Sequence, residues 1–434
     1  MFNELRIAQL AKQFHEPSWL ADVRRRGWAA HQALPWPHPS DDIWRRTDAA
    51  ALLNPAAEFS PVAPRLQDAV RLTDAQLRHL TTPLGDEQLL VRANGSWLSE
   101  ERPHGVQIDD LASAAARDPE PIRRILSSNG FTPAEEKFIS LNTAFHHDDV
   151  VVRVPRDMSV DRPIRLVHLL AVEPRQAAFP LTLITVGAGS SVTLIDEYVG
   201  LEAPGEPHLI NSRIELVIEP NASVHYVRLQ RWASTAREFL FQRATLAAGA
   251  TLTMANLYLG ASLSKAHVAT IFTGEQASSQ LSGFVFGQGH QHVDQHTLQD
   301  HQAAHTTSNL EVKAALQDQS RMIYTGLIRI APQATQTNAY QSNHNLMLSR
   351  QAQAETIPML EILADDVQCK HGASVGPIND DEAFYLMSRG IPREAAERLI
   401  VMGFVEPIVQ QVPFAPLQER LRQEIEGSLR GDGA

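Results

Sequence analysis

One cysteine, Cys369, stands in 434 residues, so no disulfide can form within the chain and the expected compartment is the reducing cytoplasm. Positive charge is scarce as well. Lys and Arg total 38 against 50 for Asp and Glu, a net charge of −12. A field of that sign repels phosphate backbones and anionic lipid, which removes nucleic acid and membrane surfaces from the expected partners. No Gly-Lys dipeptide occurs, hence no P-loop and no nucleotide hydrolysis by that device. No nucleophile elbow of the G-x-S-x-G kind is expected either. The opening MFNELRIAQLAKQF lacks the basic region, apolar core and small-residue cleavage site of a secretory leader. Long apolar runs are missing too. The uncharged stretch Ala244 to Ser264 is interrupted by Thr245, Thr251, Thr253 and Asn256 and divided by Gly249. It reads as two strands joined by a turn, not as a membrane span.

What is present divides into three textures, and the length exceeds what one hydrophobic core usually supports. Residues 1–149 read as an α-rich N-terminal domain. Leu5, Ile7, Leu10 and Phe14 recur at helical spacing, and Trp19, Leu20 and Val23 continue on a second segment after Pro17. Prolines at 35, 37 and 39 enforce a loop. Further short helices are expected at Asp74 to Leu80 and Pro119 to Ser127. Residues 150–376 form a β core: short β-branched runs follow small-residue turns at Gly187-Ala188-Gly189, Pro220-Asn221-Ala222 and Ala248-Gly249-Ala250, spaced irregularly by roughly 28 to 34 residues. A parallel β-helix, whose coils each bury an apolar face on the next, fits this period. A β-sandwich fits the short strands equally. Residues 377–434 return to helix, with Asn379 capping a first turn of Asp380, Asp381 and Glu382. Gly390 ends that helix. Ala395, Ala396, Leu399, Ile400, Gly403 and Phe404 are expected on the buried face of the next, and Leu417, Leu421, Ile425 and Leu429 on that of the last. Such helices can cover an open solenoid end or dock a partner.

Two groups of residues could hold a metal. His290, His292, His296, His301 and His305 crowd into GHQHVDQHTLQDHQAAHTTS. Metal storage by this run is conceivable, but a structural zinc site needs a defined set of three or four ligands, and imidazoles that hydrogen-bond to neighbouring coils explain the run as well. The second group is Cys369 and His371. In a strand they project to one face about 7 Å apart, with Lys370 on the other. A thiolate and an imidazole suit soft and borderline metals; a buried thiol acting as a small hydrophobe is the plain alternative. A carbohydrate-active β-helix enzyme would need paired carboxylates across a groove. Asp365 and Asp366 are adjacent and, in a strand, would face opposite ways.

The stretch Asp294 to Phe404 resembles the SufB/SufD family of iron–sulfur cluster assembly proteins throughout: DQHTLQDHQAAHTTSNLEVKAAL, MIYTGLIRIAPQATQTNAYQSNHNLMLS, PMLEILADDVQCKHGASVG and DEAFYLMSRGI. EPSWLADVRRRGWAAHQALPWP, DDIWRRTD and KFISLNTAFHHDDVVVRVP, nearer the N-terminus, resemble the same family. The resemblance implies a mainly β protein: a right-handed parallel β-helix flanked by a helical N-terminal domain and a small helical C-terminal domain. It implies a scaffold without turnover of its own, paired with SufB in a heterodimer and carrying the ATPase SufC on its C-terminal helices. An isolated chain could form a homodimer. It further implies that the histidine of the C-x-H-G motif, His371, lies with Cys369 at the SufB interface, where a nascent iron–sulfur cluster or iron is held transiently and no cofactor permanently. Clusters are normally held by about four ligands, mainly thiolates, so a chain with one thiol fits the SufD side of the family better than the SufB side.

Overall fold

The computed structural model describes residues 2–38, 40–41, 43–47, 60–61, 82–98, 102–127, 133–172, 175–201 and 207–430. Two parallel sheets share the work of a β-helix. One runs from Asp148–Val154 through Pro180–Val186, His208–Ile218, Ala236–Leu246, Leu263–Phe272, His292–His301 and Arg321–Ile330 to Gln353–Ile362. The other runs from Ile164–Leu170 through Ser191–Gly200, Ser223–Arg231, Thr251–Tyr258, Ser278–Gly287, Thr307–Leu316 and Thr337–Met347 to Val367–Pro377. The chain crosses from one sheet to the other at each turn. The uncharged stretch Ala244 to Ser264, read as two strands, forms parts of three, Ala236–Leu246, Thr251–Tyr258 and Leu263–Phe272, with the expected turn at Gly249 between the first two.

Stacking places Ser191, Ser223, Thr251, Ser278 and Thr307 in one column, so successive coils differ by 32, 28, 27 and 29 residues. Inside, Leu194, Tyr226, Met254, Leu281 and Leu310 stack in register and are all buried. Each coil therefore removes its apolar row from water only with the help of its neighbours.

The small-residue turns form a ladder of their own. Gly189, Asn221, Gly249, Gln276, His305 and Gln336 each adopt a left-handed conformation, φ between 56° and 71°. Their N–H groups donate to the next coil, Gly189 to Pro220 O at 3.0 Å, Asn221 to Ala248 O at 2.9 Å and Gly249 to Glu275 O at 2.9 Å. Glycine and asparagine favour these corners because they tolerate positive φ.

Helices cover the outer faces. α1 (Glu4–Gln13), α2 (Ser18–Ala33), α3 (Leu111–Arg117), α4 (Pro119–Leu126) and α5 (Pro133–Phe145) lie on the first sheet. There Phe138 and Phe145 pack with Phe179, Phe239 and Phe241. The segment read as α-rich also contributes strands: Gln88–Ala93 pairs in parallel with Ile164–Leu170, and Gln107–Asp109 antiparallel with Asp148–Val154. The helix expected at Asp74 to Leu80 lies outside the described residues.

At the other end come α6 (Asp380–Ser388), α7 (Arg393–Val409) and α8 (Ala415–Arg430). Asn379 caps α6 by accepting from Asp381 N–H at 2.9 Å, and Gly390 turns the chain with φ +87°. Leu417, Leu421 and Ile425 are buried as expected, but the face assigned to α7 holds only at Ala396 and, in part, at Phe404. Ala396, Val401, Val405, Ile408 and Val409 are its buried residues, whereas Leu399 is 53% exposed. The cause is that α7 is apolar on most of its circumference, so periodicity does not identify the packed side. α7 and α8 lie against the second sheet, on Val227, Leu257, Phe284 and Ala315, and do not cover the open end.

Polar groups enter the interior at the early coils. His168 is fully buried between Asp148 Oδ2 at 3.3 Å and Asp196 Oδ1 at 2.9 Å, stacked on Tyr198. Tyr198 and Tyr226 both donate to Asp196 Oδ2, at 2.9 and 2.7 Å. Burial opposes the imidazolium, but the two carboxylates prevail and raise the His168 pKa to about 9.

Two predictions follow from these contacts. A Cβ on Gly249 would lie 2.3 Å from Asn221 Oδ1 at a positive φ, so Gly249→Ala should lower unfolding free energy by about 1–3 kcal/mol in chemical denaturation. The His168 contribution is complete below the unfolded pKa near 6.5 and is lost as pH rises through about 9. Wild-type stability attributable to it should therefore fall by on the order of 3 kcal/mol between those values. His168→Gln should flatten that dependence; an unchanged slope would refute the buried imidazolium.

Candidate functional site: the open mouth of the β-helix

The last strand of each sheet, Gln353–Ile362 and Val367–Pro377, has a neighbour on one side only among the described residues. Both are largely exposed, unlike the strands before them. Met359, Leu360, Ile362 and Leu363 on one side of the mouth and Tyr340 and Val375 on the other are between 37% and 58% exposed. Pro358 sits within the outer strand of the first sheet, opposite Gly326, and withholds an amide from that edge. The edge strand of the second sheet has no proline before Pro377.

Register decides where the candidate ligands point. Leu281, Leu310, Gln341 and His371 form one row, and Ser279, Ser308, Ala339 and Cys369 the next. Leu281 and Leu310 belong to the interior core, so His371 and Cys369 continue inward-facing rows at the mouth, where no further coil covers them. One step below, Gln341 Nε2 donates to Gly326 O at 3.1 Å and to Met359 O at 3.4 Å, bridging the two sheets. Cys369 is half-buried against a small cluster with Ile328, Ile330, Ala339 and Ala364, and His371 is exposed. Burial pushes the Cys369 thiol up. The strand geometry thus brings the two residues to one face, as the sequence required.

The histidine run disperses. His292 and His296 share the outer face, where the N-terminal segment covers them. Thr47 Oγ1 lies 3.2 Å from His292 Nε2, and His296 Nε2 lies 2.7 Å from Lys265 Nζ and 2.9 Å from Asp294 Oδ1. His301 points inward, hydrogen-bonded to Thr306 at 2.7 Å and Ser308 at 2.9 Å. Burial lowers both His296 and His301 to about 4, with the Lys265 charge adding to the effect at His296. His290 and His305 are exposed at separate turns. Among the described residues no three or more His, Cys, Asp or Glu side chains come together in a manner that could hold a metal ion.

Other expectations need correction. The letters G-x-S-x-G do occur, at Gly372-Ala373-Ser374-Val375-Gly376. Ser374, however, lies within the edge strand rather than at a strand-to-helix turn, and it hydrogen-bonds His344 Nδ1 at 2.8 Å. Asp365 and Asp366 lie in the bend between the two last strands, not within a strand. The residues of the exposed apolar rim were not identified from the sequence. Their signal was Pro358 in a β-branched run, which demotes a strand to an edge. No helix among the described residues is long and apolar enough to cross a membrane.

A thiol and an imidazole at an unfinished edge supply two donors where a metal cluster needs about four. Residues 169–404 match the family described as SUF system FeS cluster assembly, SufBD core domain, and residues 7–166 match the SufBD protein N-terminal region. The chain is similar to an iron–sulfur cluster assembly SufBD family protein of Synechocystis sp., 29% identical over 423 residues that cover 94% of this chain and 91% of that one. It is similar also to such proteins of Staphylococcus epidermidis and Staphylococcus aureus, each 24% identical over 439 residues that cover 98% of this chain and 93% of the relative. An extended parallel β-helix with matching N-terminal and core regions makes this chain a member of the SufBD family of iron–sulfur cluster assembly proteins.

Proposed function

We propose that this member acts as the SufD-type scaffold subunit. On this reading it pairs with SufB through the open mouth, docks the SufC ATPase on its C-terminal helices, and performs no turnover alone. The observation that carries this reading is the uncovered pair of edge strands with His371 and Cys369 on their inward rows. Unpaired strand edges ten and eleven residues long invite pairing with another chain. A single thiol cannot complete a cluster's ligand set, so the nascent cluster, as cargo, is held jointly with the partner. The dock for the ATPase subunit is the apolar surface left on α6 and α7, where Phe384 is 70%, Tyr385 58% and Leu399 53% exposed.

His371→Ala in the complete co-expressed complex should abolish bound iron and acid-labile sulfide, while the thermal midpoint moves little, because an exposed edge residue contributes about 1 kcal/mol or less to folding. The chain purified alone should hold no stoichiometric cluster. His305→Ala, at an exposed turn, serves as the control. Wild-type iron and sulfide in His371→Ala, with loss in His305→Ala, would move the site to the histidine run.

The docking surface calls for a point substitution. Deleting α7 and α8 would uncover Val227, Leu257 and Phe284 and damage the β-helix itself. Phe384→Asp should lower co-purification of the ATPase subunit at least about tenfold, as for an exposed apolar anchor, with circular dichroism and melting unchanged. Undiminished recovery would place the dock elsewhere.

A further inference from the structure

A cleft of about 860 Å³ opens among α2, α4 and α5 over the strand His208–Ile218, far from the mouth in the sequence of coils. Four arginines line it, Arg26, Arg123, Arg124 and Arg213, in a chain of net charge −12. Two of them are engaged within the protein. Arg213 is buried and bonds Glu215 Oε1 at 2.9 Å and Thr143 Oγ1 at 3.1 Å, and Arg123 lies over the Trp19 ring, 4.5 Å from its centroid. The acids of the cleft are also engaged. Asp22 pairs with Arg25, Glu136 accepts from Ser140 Oγ at 3.2 Å, and Glu120 lies 3.9 Å from Arg123. The guanidinium groups of Arg26 and Arg124 have no acidic partner among the described residues, and both side chains are exposed.

We infer that this cleft binds a phosphorylated small molecule, the phosphate head meeting Arg26 and Arg124 and the organic portion lying along Val23, Leu126 and Ile139. A phosphate monoester concentrates close to two negative charges and three acceptor oxygens on one head, which matches two free guanidinium forks; a carboxylate carries one charge. The volume is within the range of small-molecule sites, and apolar walls beside charged groups have the usual composition of such sites. The arginine cleft belongs to the helical N-terminal part and shares no residue with the mouth, so it stands independently of the scaffold reading.

The test is calorimetric titration of the full chain with inorganic pyrophosphate as the probe, and with acetate as the carboxylate comparison. Saturable one-to-one binding of pyrophosphate is expected, weakening as sodium chloride is raised, with acetate bound at least about tenfold less tightly. Arg26→Glu and Arg124→Glu should each weaken pyrophosphate binding about tenfold or more. Arg350→Glu, exposed beyond the strand Thr337–Met347, should leave it unchanged. Circular dichroism and melting of every variant establish that the fold is intact. No saturable binding, equal binding of acetate, or equal weakening by Arg350→Glu would each overturn the inference.

Discussion

Hydrogen bonding from each coil to the next is the constraint on which the rest of this molecule depends. In a parallel β-helix a coil satisfies its peptide groups only through its neighbours, so the ends are where the protein must do something different. The two ends are treated differently. At the beginning, the sheets finish in short antiparallel strands, Gln107–Asp109 beside Asp148–Val154 and Ser96–Trp97 beside Gln88–Ala93, and short edges protect against unwanted pairing. At the other end the final strands keep full length, and their apolar rim stays uncovered by the C-terminal helices. Only Pro358 interrupts, and it interrupts one edge. The edge that carries Cys369 and His371 keeps its run of amides uninterrupted up to Pro377.

Charge inside the fold joins the helical end to this frame. Glu197 is fully buried and held by Arg165 at 2.8 Å, Arg231 at 2.8 Å and Arg420 of α8 at 2.7 Å. Burial alone would raise its pKa, but the three arginines hold it at about 2. Arg231 continues to Glu424 of α8 at 2.5 Å. Removing one member of such a group leaves the others charged and buried, at a cost of about 3–5 kcal/mol. α8 is therefore fixed to the second sheet by directional contacts as well as by apolar packing. The apolar surface of α6 and α7 is carried on the same sheet whose last strand bears His371.

The coil period could be read from the sequence because a left-handed corner restricts residue choice, and Gly189, Asn221 and Gly249 announce three of those corners. The pairing of Cys369 with His371 on one face was readable for an equally simple reason, since side chains alternate along a strand. Burial was harder. In α7 the run Leu399-Ile400-Val401-Met402 is apolar on every side, and only the position of the second sheet selects Val401 over Leu399. In the histidine run, composition does not reveal that His296 faces outward beneath Thr47 and Lys265 while His301 faces inward beside Ser308. Neither could spacing show that Asp365 and Asp366 fall at a bend.

On the proposed scaffold reading, Cys369 and His371 at the mouth give the asymmetry of the ends its meaning. A fold that held a cluster by itself would gather its donors in the interior, where packing fixes them before metal arrives. Here the candidate donors are one half-buried thiol and one exposed imidazole, placed on inward rows that stop at the last coil. Completing the rows requires backbone and ligands from outside, and the same event can provide both, because a partner strand that satisfies the bare amides also brings its own side chains into register above Cys369 and His371. On the proposed scaffold reading, formation of the cluster site is thereby tied to association of two chains, and separation of the edges would dismantle the site without unfolding either one.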